Sequence, residues 1–392
     1  MNKKEVKKAP ALRFKGFTND WEQRKLGYEV NFYSGLTYHP DDIRNSGVFV
    51  IRSSNIKNNR LISADNVFVN PQIVNSKPVH INDIVVVVRN GSRKLIGKHV
   101  LIQHELHDTV IGAFMTGIRS SNNFFINATL DSQLFKKEIQ KNLGSTINQI
   151  TVKNFQNMVF GFPSKIEKDK IGKLFRIIDN IISLQQRKLK LLKVMKKALS
   201  QYMFCQETEF VPILRFNSFS DKWKYERLKK LIVKEIKGKG KAKADMKGTK
   251  STYIDTALLN GGSITKVDSP TDTFHNDIII LWDGSQAGKI YHGFTGALGS
   301  TLKSYKPKYS GGFLYQYLKS KEPIIFLRYR TPNIPHVVKD FTEIFKINVP
   351  SVKEQEKISK TLNYLDQSIL VETKKIGSIK KIKKFLLQNM FI

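Results

Sequence analysis

Cysteine is almost absent from this 392-residue chain. Cys205 stands alone, which excludes a disulfide framework and any cysteine-built zinc site and fits a reducing, cytoplasmic setting. No run of 18 apolar residues occurs; the longest, such as Ile84–Val88, has the length of a strand, so no membrane span is expected. The opening Met1-Asn2-Lys3-Lys4-Glu5 is charged with no apolar stretch behind it, unlike a secretory leader. Acidic side chains are scarce: 33 Asp and Glu face 66 Lys and Arg, a formal net charge of +33. The excess is evenly shared, with 33 basic and 16 acidic residues in 1–207 and 33 and 17 in 208–392. Such self-repulsion is relieved by a polyanion. A hydrophobic content of 40% is too high for a disordered basic tail, and the length allows two to four cored domains.

Signatures of chemistry are missing too. There is no G-x-x-x-x-G-K-[ST] loop, since Gly238 and Gly240 have the wrong spacing, and no G-x-G-x-x-G. The Asn/Asp-Pro-Pro-Tyr/Phe sequence with which adenine methyltransferases hold a flipped base is absent. His99, His104 and His107 are poorly spaced for a metal on strand and loop, and Asp268, Asp272 and Asp277 lack the nearby Glu-x-Lys of a nuclease. The expectation is a non-catalytic chain with no catalytic residue, metal or cofactor of its own.

What is present is a duplication. Pro10, Leu12, Arg13, Phe14, Phe17, Trp21 and Leu26 recur 202 positions later as Pro212, Leu214, Arg215, Phe216, Phe219, Trp223 and Leu228. A shift of 187 takes Pro163-Ser164, Glu167, Lys170, Ile171 and Asp179 to Pro350-Ser351, Glu354, Lys357, Ile358 and Asp366, and Gln201, Met203 and Phe204 to Gln388, Met390 and Phe391. Internal repeats of this kind define the architecture, here halves of about 9–206 and 211–392.

A helix is expected after each of Pro163 and Pro350. Spacings of four and three pick out Ile171, Phe175, Ile178, Ile182, Gln185, Leu189, Leu192, Lys196, Leu199 and Met203 in one. The other has Ile358, Leu362, Leu365, Ile369, Glu372, Ile376, Ile379, Lys383, Leu386 and Met390. The polar exceptions fall at the same two positions, as in a coiled-coil seam five heptads long. The alternative is two amphipathic helices, each packed on its own domain. Strand-like runs fill the bodies between: Val48–Arg52, Ile84–Val88, Lys98–Ile102 and Phe124–Ile126, then Ile278–Trp282, Ile290–His292, Ile324–Tyr329 and Ile344–Asn348. Asp83-Ile84, Gly91-Ser92 and Gly97-Lys98 match Asp277-Ile278, Gly284-Ser285 and Gly288-Lys289, which implies one fold with different surfaces.

The Leu-Arg-Phe…Phe…Trp openings, the Asp83-Ile84-Val85-Val86 segment leading to Asn90-Gly91-Ser92, and the two long helices resemble specificity subunits of type I restriction–modification enzymes, over essentially the whole chain. The resemblance implies an α+β fold: a tandem duplication of two mixed α/β target recognition domains separated by two long helices that pair as an antiparallel coiled coil, pseudo-two-fold symmetric. The expected divisions are 1–164 (first recognition domain), 165–206 (first spacer helix), 207–350 (second recognition domain) and 351–392 (second spacer helix). It also implies a subunit reading a bipartite, asymmetric double-stranded DNA target, with helix length as the ruler. Its implied partners are two modification subunits using S-adenosylmethionine and, in a full complex, two restriction subunits using ATP and Mg. A stand-alone bipartite DNA-binding regulator is the other reading.

Base reading needs donors and acceptors on loops, and phosphate binding needs cations. In the first half Arg52, Ser53 and Asn55 follow a strand, and Arg89, Asn90, Ser92, Arg93, Lys94 and Lys98 form a basic turn and its exit. Thr146, Asn148 and Gln149 lie where the resembled family carries a loop facing DNA. Ser34-Gly35-Leu36-Thr37 resembles that family's Gly-Thr-Pro loop without its proline. In the second half Lys237, Lys239, Lys241, Lys243, Lys247 and Lys250 crowd one loop opposed only by Asp245, and Ser285, Gln286, Lys289, Arg328, Arg330 and Asn333 complete the set. Trp282 is expected to pack or to stack, and Lys188, Lys190 and Lys197 to face solvent.

Overall fold

The computed structural model describes residues 9–143, 148–206, 209–239, 248–333 and 335–392. It divides into two compact units, one of residues 1–186 with 375–392 and one of 187–374.

In the first unit the β-branched run Ile84–Val87 is buried along its whole length. It sits inside an antiparallel sheet ordered Asn31–Ser34, Met115–Arg119, Ile84–Val87, His99–Leu101. A second sheet is built on Val48–Ile51, which has Thr109–Ile111 parallel on one side and Val67–Val69 antiparallel on the other. Glu22–Lys25 pairs with Val159–Phe162 and closes the body just before the long helix.

The second unit repeats this plan. Ile278–Leu281, again fully buried, lies in a sheet ordered Ile232–Lys237, Leu302–Pro307, Ile278–Leu281, Ile290–His292. Ser251–Ile254 has Ala297–Leu298 parallel and Lys266–Val267 antiparallel. Lys224–Arg227 pairs with Lys346–Val349. Two bodies whose sequences align sparsely therefore share the order and sense of these strands, while the second sheet of the first unit carries an added edge strand, Ile43–Arg44.

Two of the expected strands are helices. Phe124–Ile126 lies in the helix Asn123–Asp131, and Ile324–Tyr329 falls mostly in Glu322–Arg328. The first buries Phe125, Ile126, Ala128, Thr129 and Leu130 and has no exposed residue, so its short apolar run Phe124–Ile126 imitates a buried strand. The second carries Pro323 in its first turn, a helix-start position. The Ile344–Asn348 run is split, its first residue ending the helix Phe341–Ile344 and the rest entering Lys346–Val349.

The long helices are Lys165–Tyr202 and Val352–Asn389, 38 residues each. Ser164 and Ser351 accept hydrogen bonds from the amides of Glu167 and Glu354, as N-caps do. The two glutamates are buried and gripped by the arginines of the repeated openings: Arg13 Nε donates to Glu167 Oε1 at 2.6 Å and Nη2 to Oε2 at 2.8 Å. Arg215 holds Glu354 at 2.8 and 2.9 Å in the same fork. Bidentate charge-assisted pairing fixes each opening segment to the first turn of the helix that follows its body.

Helix segments pair within each unit. In the first unit Phe175 packs on Phe391 with ring centroids 5.7 Å apart, and Lys383 binds Asp179 at 2.6 Å. In the second, Lys188 binds Glu372 at 2.5 Å and Lys196 binds Asp366. As one number rises the other falls, so the segments run antiparallel in both units. Every position of the expected seam is buried or half-buried. The lysines that interrupt it, Lys196 and Lys383, each meet an aspartate of the other helix. The alternative of packing on the bodies holds as well. Ile171, Phe175, Met390 and Phe391 share a core with Trp21 and Phe125, while Met203, Phe204, Ile358 and Leu362 share one with Trp223 and Phe313.

Main chain approaches main chain closely at one duplicated point. A Cβ on Gly35 would lie 2.1 Å from the Gly112 carbonyl oxygen, and one on Gly238 would lie 2.0 Å from that of Gly299. Gly35→Ala and Gly238→Ala are each expected to force these segments apart at a cost of about 1–3 kcal/mol. Urea midpoints matching the unsubstituted chain would show that no such approach exists.

Candidate nucleic-acid interface

Three loops of the first unit meet beside the end of the buried strand Ile84–Val87. Asn90 Nδ2 donates to Ser53 Oγ at 2.9 Å, and Lys98 Nζ donates to the Ser53 carbonyl at 3.0 Å. Asn90 Oδ1 accepts from the Ser92 amide at 2.9 Å, and Asn148 Nδ2 donates to the Gly91 carbonyl at 3.0 Å. Partial burial pushes the Lys98 ammonium below its ordinary pKa. The Arg93 guanidinium donates to the Leu143 carbonyl at 3.2 Å, and Arg89 lies 5.0 Å from the centroid of the Phe114 ring. Arg89, Ser92, Arg93 and Lys94 are exposed. A groove of about 560 Å³ runs past Thr37, Arg52, Ser53 and Phe114, so the 34–37 loop joins this rim. The side chain of Leu36 itself is buried.

Asn55 does not belong to that surface. It is fully buried; its Oδ1 accepts from the Arg52 amide at 2.9 Å and its Nδ2 donates to the Ala64 carbonyl at 2.7 Å. It braces the turn from which Arg52 and Ser53 project. Short polar residues after a strand serve turns as readily as ligands, and burial decides between the two. Thr146 lies outside the described residues.

The second unit builds the corresponding rim from 283–289 and 330–337. The Val337 amide donates to the Trp282 carbonyl at 3.0 Å, as Ile150 does to Val88 at 2.9 Å, so the 148–150 and 335–337 segments are counterparts. The Gly284 amide donates to the Pro335 carbonyl at 2.9 Å, and Lys289 Nζ donates to Gln286 Oε1 at 2.7 Å. Ser285, Gln286, Arg328 and Asn333 are exposed, and Arg330 lies 3.7 Å from the Phe326 ring centroid. Trp282 packs: it is buried, with Lys303 Nζ 3.4 Å from its ring centroid. Lys237, Lys239 and Lys250 are exposed at the ends of the lysine-rich loop. Lys241, Lys243 and Lys247 lie outside the described residues. Gly238 holds the place in this unit that Gly35 holds in the first, so the lysine-rich loop and the loop after Gly35 leave equivalent corners of the two bodies.

The residues weighed for chemistry have structural partners. His99 is buried with Nε2 3.3 Å from Asp131, while His104 and His107 are exposed on a loop. Asp268, Asp272 and Asp277 accept from the backbone amides of Thr249, Leu298 and Phe274. Burial pushes the Asp277 carboxyl above the usual range. Lys188, Lys190 and Lys197 all face solvent, and Lys188 also bridges to Glu372. Among the described residues, no helix is long and apolar enough to cross a membrane.

Sequence reasoning paired neither Arg13 with Glu167 nor Arg215 with Glu354, although both residues of each pair stood in the repeat. It also passed over Lys136, Lys380 and Lys384, whose placement emerges only when the second long helix is docked against the first body.

The chain is 34% identical over 170 residues to the Type I restriction enzyme MjaVIII specificity subunit of Methanocaldococcus jannaschii. That match spans 41% of this chain and 40% of the relative's length. The fold is that of the crystal structure of a type I restriction–modification S subunit from M. genitalium: the TM-score is 0.72 at 17% identity, covering 98% of this chain and 99% of that one. A chain from a structure on complex assembly of the type I R-M system matches at a TM-score of 0.50 and 14% identity, covering 94% of this chain and 96% of that one. Residues 18–194 and 220–381, one stretch from each copy of the repeat, match the type I restriction modification DNA specificity domain, and the chain belongs to that family.

Proposed function

We propose that this chain is the non-catalytic recognition subunit of a type I restriction–modification complex. Each body reads one half of a bipartite, asymmetric DNA site, and the paired helices set the gap between the halves. The single observation carrying this reading is the doubled topology with unlike rims. Two bodies whose four-stranded sheets share one strand order present different side chains at equivalent corners, Arg89-Asn90-Gly91-Ser92 on one and Asp283-Gly284-Ser285-Gln286 on the other. Dimeric readers place like modules on like half-sites, whereas a diverged duplication suits unlike ones.

Adenine methylation is assigned to two modification subunits carrying S-adenosylmethionine, which would extrude the target base. Cleavage is assigned to restriction subunits using ATP and Mg. The chain acts in the cytoplasm, with its DNA. Apolar side chains on the outer faces of the helices supply a seat for such partners: Leu184 is 65% exposed, Leu191 60% and Tyr364 73%. A stand-alone regulator has no use for that stripe, which favours the enzyme-linked reading.

Deletion of the gene in its host, with adenine methylation mapped before and after, tests the proposal. Loss of modification at one split motif is the expected result. A methylome unchanged by the deletion would remove the reading.

A further inference from the structure

The first unit holds a groove of about 1010 Å³ walled by the 93–98 turn, the helix Gln133–Asn142 and residues 380–388 of the second long helix. Arg93, Lys94, Lys98, Lys136, Lys380 and Lys384 line it with one carboxylate, Asp131. That carboxylate is already engaged: Lys383 binds it at 2.6 Å and His99 lies 3.3 Å away. Lys94, Lys136, Lys380 and Lys384 are exposed and have no ion-pair partner among the described residues. Lys380 and Lys384 stand one helical turn apart, so both heads project from one face. Lys383 between them is turned inward and pinned to Asp131 and Asp179, which fixes that turn of helix against the body.

We infer that this groove binds the phosphodiester backbone of the bound duplex outside the base-reading loops, which makes the second long helix a DNA-contact element as well as a strut. The inference rests on the DNA-recognition reading above. Arg93 and Lys94 belong both to the rim and to the groove, so the cationic track is continuous from one to the other. A duplex presents about one negative charge per 1.7 Å of axis, which matches a line of cations better than a single small anion does. Phe135 and His99, the two rings that line the groove, are both buried and pack on each other, leaving neither for a nucleotide base to stack on.

The corresponding corner of the second unit keeps the two helix lysines, as Lys193 and Lys197 at a shift of 187, but differs on its short helix. A Cβ on Gly97 would lie 3.1 Å from Ile139, and one on Gly288 would lie 3.1 Å from Ile325, which sets the two short helices in register. Three residues before Ile139 stands Lys136; three before Ile325 stands Glu322, which accepts from the Ile290 amide and pairs with Lys319. The cation that the short helix contributes is therefore particular to the first unit.

The full chain carrying Lys136→Gln, Lys380→Gln and Lys384→Gln together is titrated with a random-sequence duplex across a salt series. Each lost phosphate contact lowers the slope of log affinity against log salt by about 0.9, so the triple variant is expected to lose about 2–3. Lys190→Gln with Lys374→Gln removes charge from exposed helix positions that do not line the groove and is expected to leave the slope unchanged. Thermal unfolding confirms that both variants keep the fold. A triple variant with the unsubstituted slope overturns the inference. So does one that keeps the slope but no longer co-elutes with the modification subunits, which would make the groove a protein-docking surface. Failure of the unsubstituted chain to bind DNA in a salt-dependent way sinks the recognition reading itself, a result distinguishable from either.

Discussion

Lys383→Ala is expected to destabilise the chain by about 3–5 kcal/mol, the cost of stripping one partner from a buried ion pair. Lys383 reaches Asp131 and Asp179 at 2.6 Å each, and its side chain is only 15% exposed. Although burial opposes ionisation, His99 and Lys383 hold the Asp131 carboxyl well below the usual carboxylate range. Burial wins at Asp179, which is pushed up even with Lys383 beside it. Truncation leaves both carboxylates facing each other without their ammonium. The sign with pH follows from Asp131. A depressed carboxyl stabilises the fold above its unfolded value and loses that contribution as pH falls through its folded value. Without Lys383 its folded value rises, so the deficit of the variant is largest near neutrality and narrows as pH falls below about 4. Urea unfolding at several pH values measures this. The duplicate pair gives the internal comparison: Asp366 is 34% exposed, so Lys196→Ala is expected to cost about 1 kcal/mol or less. Equal losses at the two lysines, or a deficit constant with pH, would refute the electrostatic account.

Exchange of residues 30–150 for the equivalent body of a relative is expected to change one half of the methylated motif and leave the other half as it was. The junctions leave the pairings that close the body intact, and a donor body that keeps an aspartate at 131 and a ring at 125 preserves the contacts to Lys383 and Phe391. Glu22–Lys25 still pairs with Val159–Phe162, the Leu26 amide still donates to the Met158 carbonyl at 2.8 Å, and Arg13 still grips Glu167. All the described first-unit rim residues lie within the exchanged segment, while the fork that orients the helix does not. Methylome sequencing of a host carrying the chimera reads the outcome. Alteration of both halves would mean that the two bodies do not read independently.

The duplication and the helices were legible because their signals are periodic and repeated: an unbroken four-three spacing, two proline–serine starts, and paired tryptophans. Strands in the bodies were legible where β-branched runs are buried throughout, as at Ile84–Val87 and Ile278–Leu281, and also at the partly buried Val48–Ile51, His99–Leu101 and Ile290–His292, whereas their pairing was not. The Asn123–Asp131 helix was not, since near-complete burial erases the polar face by which an amphipathic helix is recognised. Pro323 at a helix start was a signal available for the other misread segment. Among the rim residues, Arg89, Arg93 and Lys94 protrude as cations after a strand should, whereas Asn55 looks the same in sequence and is consumed by its own turn. The grip of Arg13 on Glu167 spans 154 positions, a distance no local pattern encodes.

The interleaving of the two units has a consequence at the level of the gene. The Leu12 amide donates to the Asn389 carbonyl at 2.8 Å in the first unit, and the Leu214 amide to the Tyr202 carbonyl at 2.9 Å in the second. A frameshift or nick that discards residues 375–392 therefore wounds the body encoded at the opposite end of the reading frame, stripping Met390 and Phe391 from beside Trp21. Recombination that shuffles these genes can trade central segments that keep an aspartate for Lys383 and an apolar ring for Phe391, but a crossover within a helix must deliver an end that fits a stranger's core.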